Sequence, residues 1–65
     1  MKLKEIRLKK GLTQEALANK LGIHTSAIAH YERGTFRMNV IRALQLAKVL
    51  ECKVEDLFDE GEDYE

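Results

Sequence analysis

Apolar residues recur along the chain at helical spacing, in short runs separated by glycines, and proline is absent. Leu3, Ile6 and Leu8 fall in a first predicted helix over residues 2–10, which Gly11 ends. Thr13 is a suitable N-cap for a second helix, with Ala16, Leu17 and Leu21 on one side and Gly22 as its terminator. The third, over residues 25–32 with His24 at its cap, is poor in apolar groups. Ile28 and Tyr31 face inward, and Thr25, Ser26, Ala29 and His30 face outward. Past Gly34, a loop through Thr35, Phe36, Arg37 and Met38 leads to Asn39, the predicted cap of a fourth helix. There Val40, Ala43, Leu44, Ala47 and Leu50 follow the i, i+3, i+4, i+7 rule and form the expected core stripe. A brief fifth helix is predicted over residues 54–58. The pattern implies an all-α, compact five-helix domain over residues 1–58, followed by an acidic tail, 59–65, expected to fray.

Composition narrows the function classes. A 65-residue domain buries only about 60% of the surface its unfolded chain exposes, leaving no room for a second lobe or a deep cleft. Cys52 is the single cysteine, so no internal disulfide is possible and stability must come from helix packing or dimerisation. No apolar run approaches the roughly 20 residues of a membrane span, and no signal-peptide pattern opens the chain, so the expected location is cytoplasmic. The net charge of zero conceals a division. Residues 1–42 carry nine Lys/Arg against three Asp/Glu, whereas residues 43–65 carry two against eight. The basic part suits a polyanion such as nucleic acid.

Two short helices joined through a glycine turn, the second showing small polar side chains outward, describe a helix-turn-helix. The run KGLTQEALANKLGI (residues 10–23), followed by TSAIAHYERG (25–34) and LAKVLECKVEDLF (46–58), closely resembles the lambda-repressor-like, Cro/C1 or XRE-type, helix-turn-helix family. The resemblance spans nearly the whole chain, through the GLTQ opening, the alanine pair of helix two, the turn glycine, the YERG that closes helix three, and the final DLF. It implies a double-stranded-DNA-binding transcriptional regulator whose third helix enters the major groove. Met38, Glu51 and Lys53 depart from the family's usual proline, glycine and capping Ser/Thr, which loosens the last two junctions.

The resemblance also assigns roles. Thr25 and Ser26 match the family's first base readers, with N-terminal capping as the alternative role for both. His30 falls one turn further along that face, and Ala29 can offer its methyl to a thymine methyl. Phosphate contacts are expected from Gln14, Thr13, His24, Arg33, Thr35, Arg37 and Arg7, with Thr13 mainly a cap. Arg7 and Glu32 match the positions of a partly buried ion pair that joins helix one to helix three.

The remaining candidates point away from other chemistry. His24 and His30, six apart, lie on different sides of a helix without an i+4 ligand, so no metal or other cofactor is expected. No nucleophile, base and orienting acid fall in a recognisable arrangement, and the protein reads as non-enzymatic. A homodimer reading a palindromic operator as a repressor is expected, with Phe36, Met38, Ile41, Val49 and Phe58 as candidate interface groups. The alternative is a protein-interaction module, of antitoxin or antirepressor type, in which DNA binding is secondary.

Overall fold

Every helix leaves unpaired backbone groups at its ends, and here side-chain acceptors and left-handed residues take up several of them. The computed structural model describes residues 1–59; the predicted tail beyond residue 59 lies outside the described residues. Four α-helices are present among the described residues: α1 (Leu3–Lys9), α2 (Gln14–Leu21), α3 (Thr25–Arg33) and α4 (Val40–Leu50). Thr13 Oγ1 accepts the Ala16 N–H at 2.9 Å to start α2, and Asn39 Oδ1 accepts the Arg42 N–H at 2.8 Å to start α4. At the turn between α2 and α3, Gly22 sits at φ 69° and Ile23 donates its N–H back to the Ala18 carbonyl at 3.0 Å. That left-handed residue reverses the chain within two residues, which a Cβ would resist.

Leu3, Leu17, Ile28, Leu46, Leu50 and Leu57 are fully buried, and Ala18, Met38, Ala43 and Ala47 complete the core. The main packing is of α2 on α3, with α4 behind α2 and α1 against α3. The chain start is tied to the far end of the domain. Lys2 donates its N–H to the Leu57 carbonyl at 2.8 Å, and the terminal amine lies 3.0 Å from Asp59 Oδ2.

Three expectations are corrected. The fifth helix is a single 3₁₀ turn, Val54–Leu57, with Phe58 already extended. Lys53 has no acceptor to offer the new N-terminus, and only the return bond is made, from the Lys53 N–H to Asp56 Oδ2 at 3.1 Å. The stripe of α4 is also rotated: Ala43, Leu46, Ala47 and Leu50 face inward, while Val40 and Leu44 are exposed. Both sets satisfy the same helical spacing, and the inward one places two leucines with two small alanines that let α4 approach its neighbours. On α1, Leu8 is exposed and Arg7 is buried beside Leu3. No helix among the described residues is long and apolar enough to cross a membrane.

The α4 terminus carries a cost. Glu51 adopts φ 55°, and the Cys52 N–H donates to the Ala47 carbonyl at 3.0 Å, the same closure as at Gly22 but on a residue with a Cβ. Left-handed backbone costs an L-residue about 1–2 kcal/mol, and glycine's freedom in the unfolded chain gives back about 0.4–1 kcal/mol. Glu51→Gly is therefore expected to stabilise the domain by about 0.5–1 kcal/mol, seen as a rise of a few degrees in Tm by circular dichroism.

Candidate nucleic-acid interface

Arg7 is buried, an unusual place for a charged side chain. Its guanidinium grips Glu32 through both arms, Nε to Oε2 at 2.6 Å and Nη2 to Oε1 at 3.2 Å, and Nη1 donates to the Leu12 carbonyl at 2.8 Å. Gln14 Nε2 adds a third donor to the carboxylate, reaching Oε1 at 2.9 Å. The side chains of Arg7 and Glu32 are 7% and 5% exposed. One carboxylate near the end of α3 thus ties that helix to α1 and to the first residue of α2. Burial alone would push the Glu32 carboxyl up. The hydrogen bonds from Arg7 and Gln14, with the charges of Arg7 and Lys4, outweigh it and hold the group below its ordinary value of 4.5.

With that tether, α3 presents one side outward. Ser26 is exposed there, and Thr25, Ala29 and His30 are half-exposed, while Ile28 is buried and Tyr31 packs on the core. His24 caps the helix with its ring: Nδ1 accepts the Ser26 N–H at 3.0 Å and lies 2.8 Å from Ser26 Oγ. With Nδ1 accepting, Nε2 carries the proton. At the other end, the ring of His30 stacks on Phe36, centroids 4.2 Å apart and planes 16° from parallel. Tyr31 meets the same Phe36 edge-on at 5.8 Å. Arg33, Thr35 and Arg37 are exposed beside this end of α3.

The sequence-predicted site residues fall into three groups. Thr25, Ser26, Ala29 and His30, with His24, Arg33, Thr35 and Arg37, belong to α3 and its flanks. Thr13, Gln14 and Arg7 already have partners inside the fold: Thr13 Oγ1 caps α2, the Gln14 amide holds Glu32, and Arg7 is turned inward. Of the interface candidates, Phe36 and Ile41 are 46% and 65% exposed, but Met38 is buried in the core, and Val49 and Phe58 pack partly against it. The rotated α4 stripe adds Val40 and Leu44 to the exposed apolar face. Sequence reasoning missed the Phe36–His30 stack and the bond of Gln14 to Glu32. An aromatic six residues after a helical histidine, across a glycine, is the signal for the first; the second had none. Cys52 is half-buried; burial and the charge of Asp56 push its thiol up against the pull of Lys10, so it remains protonated.

The depressed Glu32 carboxyl fixes a pH dependence. Its folded-state value lies below the unfolded one, so its contribution to stability is complete above the ordinary value of 4.5 and is lost as pH falls through the folded value. Melting curves of the wild type should fall in Tm over that acid window, and those of Glu32→Gln should fall less steeply from a lower starting point. Parallel curves would remove the ion pair from the account.

A helix-turn-helix family profile matches residues 3–57. An HTH-type transcriptional regulator of Archaeoglobus fulgidus is 37% identical over 57 residues, covering 88% of this chain and 81% of that protein. One of Methanocaldococcus jannaschii is 40% identical, covering 88% and 86%. Among solved structures, the restriction-modification controller protein C.AhdI from Aeromonas hydrophila superposes with a TM-score of 0.80 at 38% identity, covering 86% of this chain and 85% of that one. The exposed, capped α3 set on α2 through a two-residue glycine turn, together with these matches, identifies the chain as a member of the Cro/C1-type (XRE) helix-turn-helix family of DNA-binding transcriptional regulators, which are not enzymes.

Proposed function

We propose that the protein binds operator DNA as a homodimer, reads a palindrome through α3 in the major groove, and represses by occupying the promoter region. The observation that carries this is the outward side of α3, where Thr25, Ser26, Ala29 and His30 line one face of a helix whose tilt the buried Arg7–Glu32–Gln14 network holds. A groove about 12 Å wide admits one such helix, and short polar side chains near its N-terminus reach base edges. His24, Arg33 and Arg37 flank it as phosphate ligands, with the α2 N-terminus at Thr13 and Gln14 contributing backbone N–H groups. Steric exclusion of polymerase needs no further domain. The likeness to a restriction-modification controller protein supports a regulatory role.

Dimerisation rests on the apolar face formed by Phe36, Val40, Ile41 and Leu44, all more than 40% exposed. Such a cluster on so small a domain suits a contact surface, and a two-fold dimer that reads a palindrome needs its two α3 helices one DNA turn apart, about 34 Å. The same face suits a different protein, the antitoxin- or antirepressor-like reading, and two variants separate the cases.

Selection of sites from random duplex DNA, followed by titration at two salt concentrations, tests the reading. The expected result is a palindrome with half-sites about one turn apart and a steep salt slope; a salt-sensitive background with no enriched site refutes it. Ser26→Ala with His30→Ala should weaken binding to the selected duplex by about 2–4 kcal/mol. Ile41→Lys with Leu44→Lys should yield a folded monomer in sedimentation equilibrium, with affinity for the palindrome reduced roughly 100-fold or more. A monomeric wild type contradicts the dimer.

A further inference from the structure

The start of α3 fixes where one hydroxyl sends its proton. The backbone N–H of Ser26 donates to His24 Nδ1 at 3.0 Å. A peptide N–H can only donate, so Nδ1 holds a lone pair and the neutral ring carries its proton on Nε2. Ser26 Oγ lies 2.8 Å from the same Nδ1. Two lone pairs at that distance repel each other, so the hydroxyl proton lies between the two atoms and Ser26 donates it to the ring. Among the described residues, Ser26 Oγ has no other hydrogen bond. Its single proton is therefore committed within the chain, and what it has left to offer is lone pairs. Both residues are exposed, so those lone pairs are accessible from outside the domain.

We propose that His24 is a positioning residue for base selection: its ring makes Ser26 an acceptor, so that Ser26 selects a base with an exocyclic amine, adenine or cytosine, over guanine or thymine. This rests on the reading of α3 as the groove-bound helix. In the major groove adenine presents its N6 amine and cytosine its N4 amine, whereas guanine presents N7 and O6 and thymine O4, all acceptors. A serine whose hydroxyl turns freely pairs with either kind and discriminates little. Facing guanine or thymine, the held hydroxyl must either give up its bond to the ring or set its lone pairs against an acceptor, and both are unfavourable. The same tautomer leaves Nε2–H as the donor for the phosphate contact proposed above. His24 thus acts on the DNA backbone directly and on the base through Ser26, and a mutant series separates the two effects.

Two measurements test the device. In free protein labelled with nitrogen-15, the His24 ring should show a protonated Nε2 and an unprotonated Nδ1; the reverse tautomer, or an even mixture, overturns the proposal without touching the DNA reading. In site selection, Ser26→Ala should identify the position that Ser26 reads, as the one whose preference it erases. The wild type should favour adenine or cytosine there by about tenfold on the contacted strand. His24→Gly keeps a tolerated helix start but removes the ring. It should weaken binding to every duplex alike, through the lost phosphate contact, and reduce the amine preference at that position to about twofold. His24→Asn, whose Oδ1 can accept both the N–H and the hydroxyl of Ser26, should restore the preference. A preference for guanine or thymine at the Ser26 position, or an amine preference that survives in His24→Gly, overturns the proposal. So does a loss in His24→Gly spread equally over all positions, which is the mark of a cap alone. Failure to enrich any site would refute the DNA reading itself and, with it, base selection by Ser26.

Discussion

A buried carboxylate governs the arrangement of the helices. Glu32 lies inside the domain among an arginine from α1 and a glutamine from α2, and three hydrogen bonds take up its two oxygens. Such a pair contributes little net stability against an apolar replacement, but losing one partner strands a buried charge at a cost of about 3–5 kcal/mol. Its value is geometric. A planar, two-pronged contact fixes direction as well as distance, so the angle at which α3 leaves the body follows from where Arg7 and Gln14 stand. Apolar packing of Ile28 against Leu17 and its neighbours supplies the adhesion, and the polar network supplies the orientation.

From that fixed helix the rest of the functional surface follows. The N-terminus of α3 is closed by a histidine ring, its C-terminus by Gly34, and the chain then lays Phe36 across His30. Phe36 thus packs against the outward side of α3 and is itself exposed, as are Val40, Ile41 and Leu44 of α4. The proposed pairing surface and the proposed base-reading helix thus adjoin in sequence at one aromatic side chain. In a domain of 65 residues there is little space in which to keep them apart.

The helix boundaries were legible because caps are local chemistry. Thr13, Asn39 and His24 announce starts, and Gly22 and Gly34 announce stops, whatever the tertiary context. Arg7 and Glu32 could be connected only through the family resemblance, since 25 residues separate them. The inward face of α4 was misread because residues 40–50 contain two overlapping stripes of the same period, and only the neighbours of Ala43 and Ala47 decide between them. The fifth helix was overestimated because its leucine and phenylalanine suggest a packed turn, whereas Lys53 gives the backbone no acceptor. The Gln14–Glu32 bond depends on a side-chain direction that spacing does not specify, and the same holds for the stack that pins His30.

If the buried network sets the direction of α3 for base reading, a specificity ratio shows it most directly. Wild type and Glu32→Gln, each verified as folded, are titrated at one salt concentration on the selected palindrome and on a random duplex. Glutamine keeps the size of the side chain but removes the charge that gathers Arg7 and Gln14. Binding to the random duplex, which depends on backbone charge, should stay within about twofold, while the preference for the palindrome should fall by roughly tenfold or more. An unchanged ratio in a folded variant would contradict it, and would return the orientation of α3 to apolar packing alone.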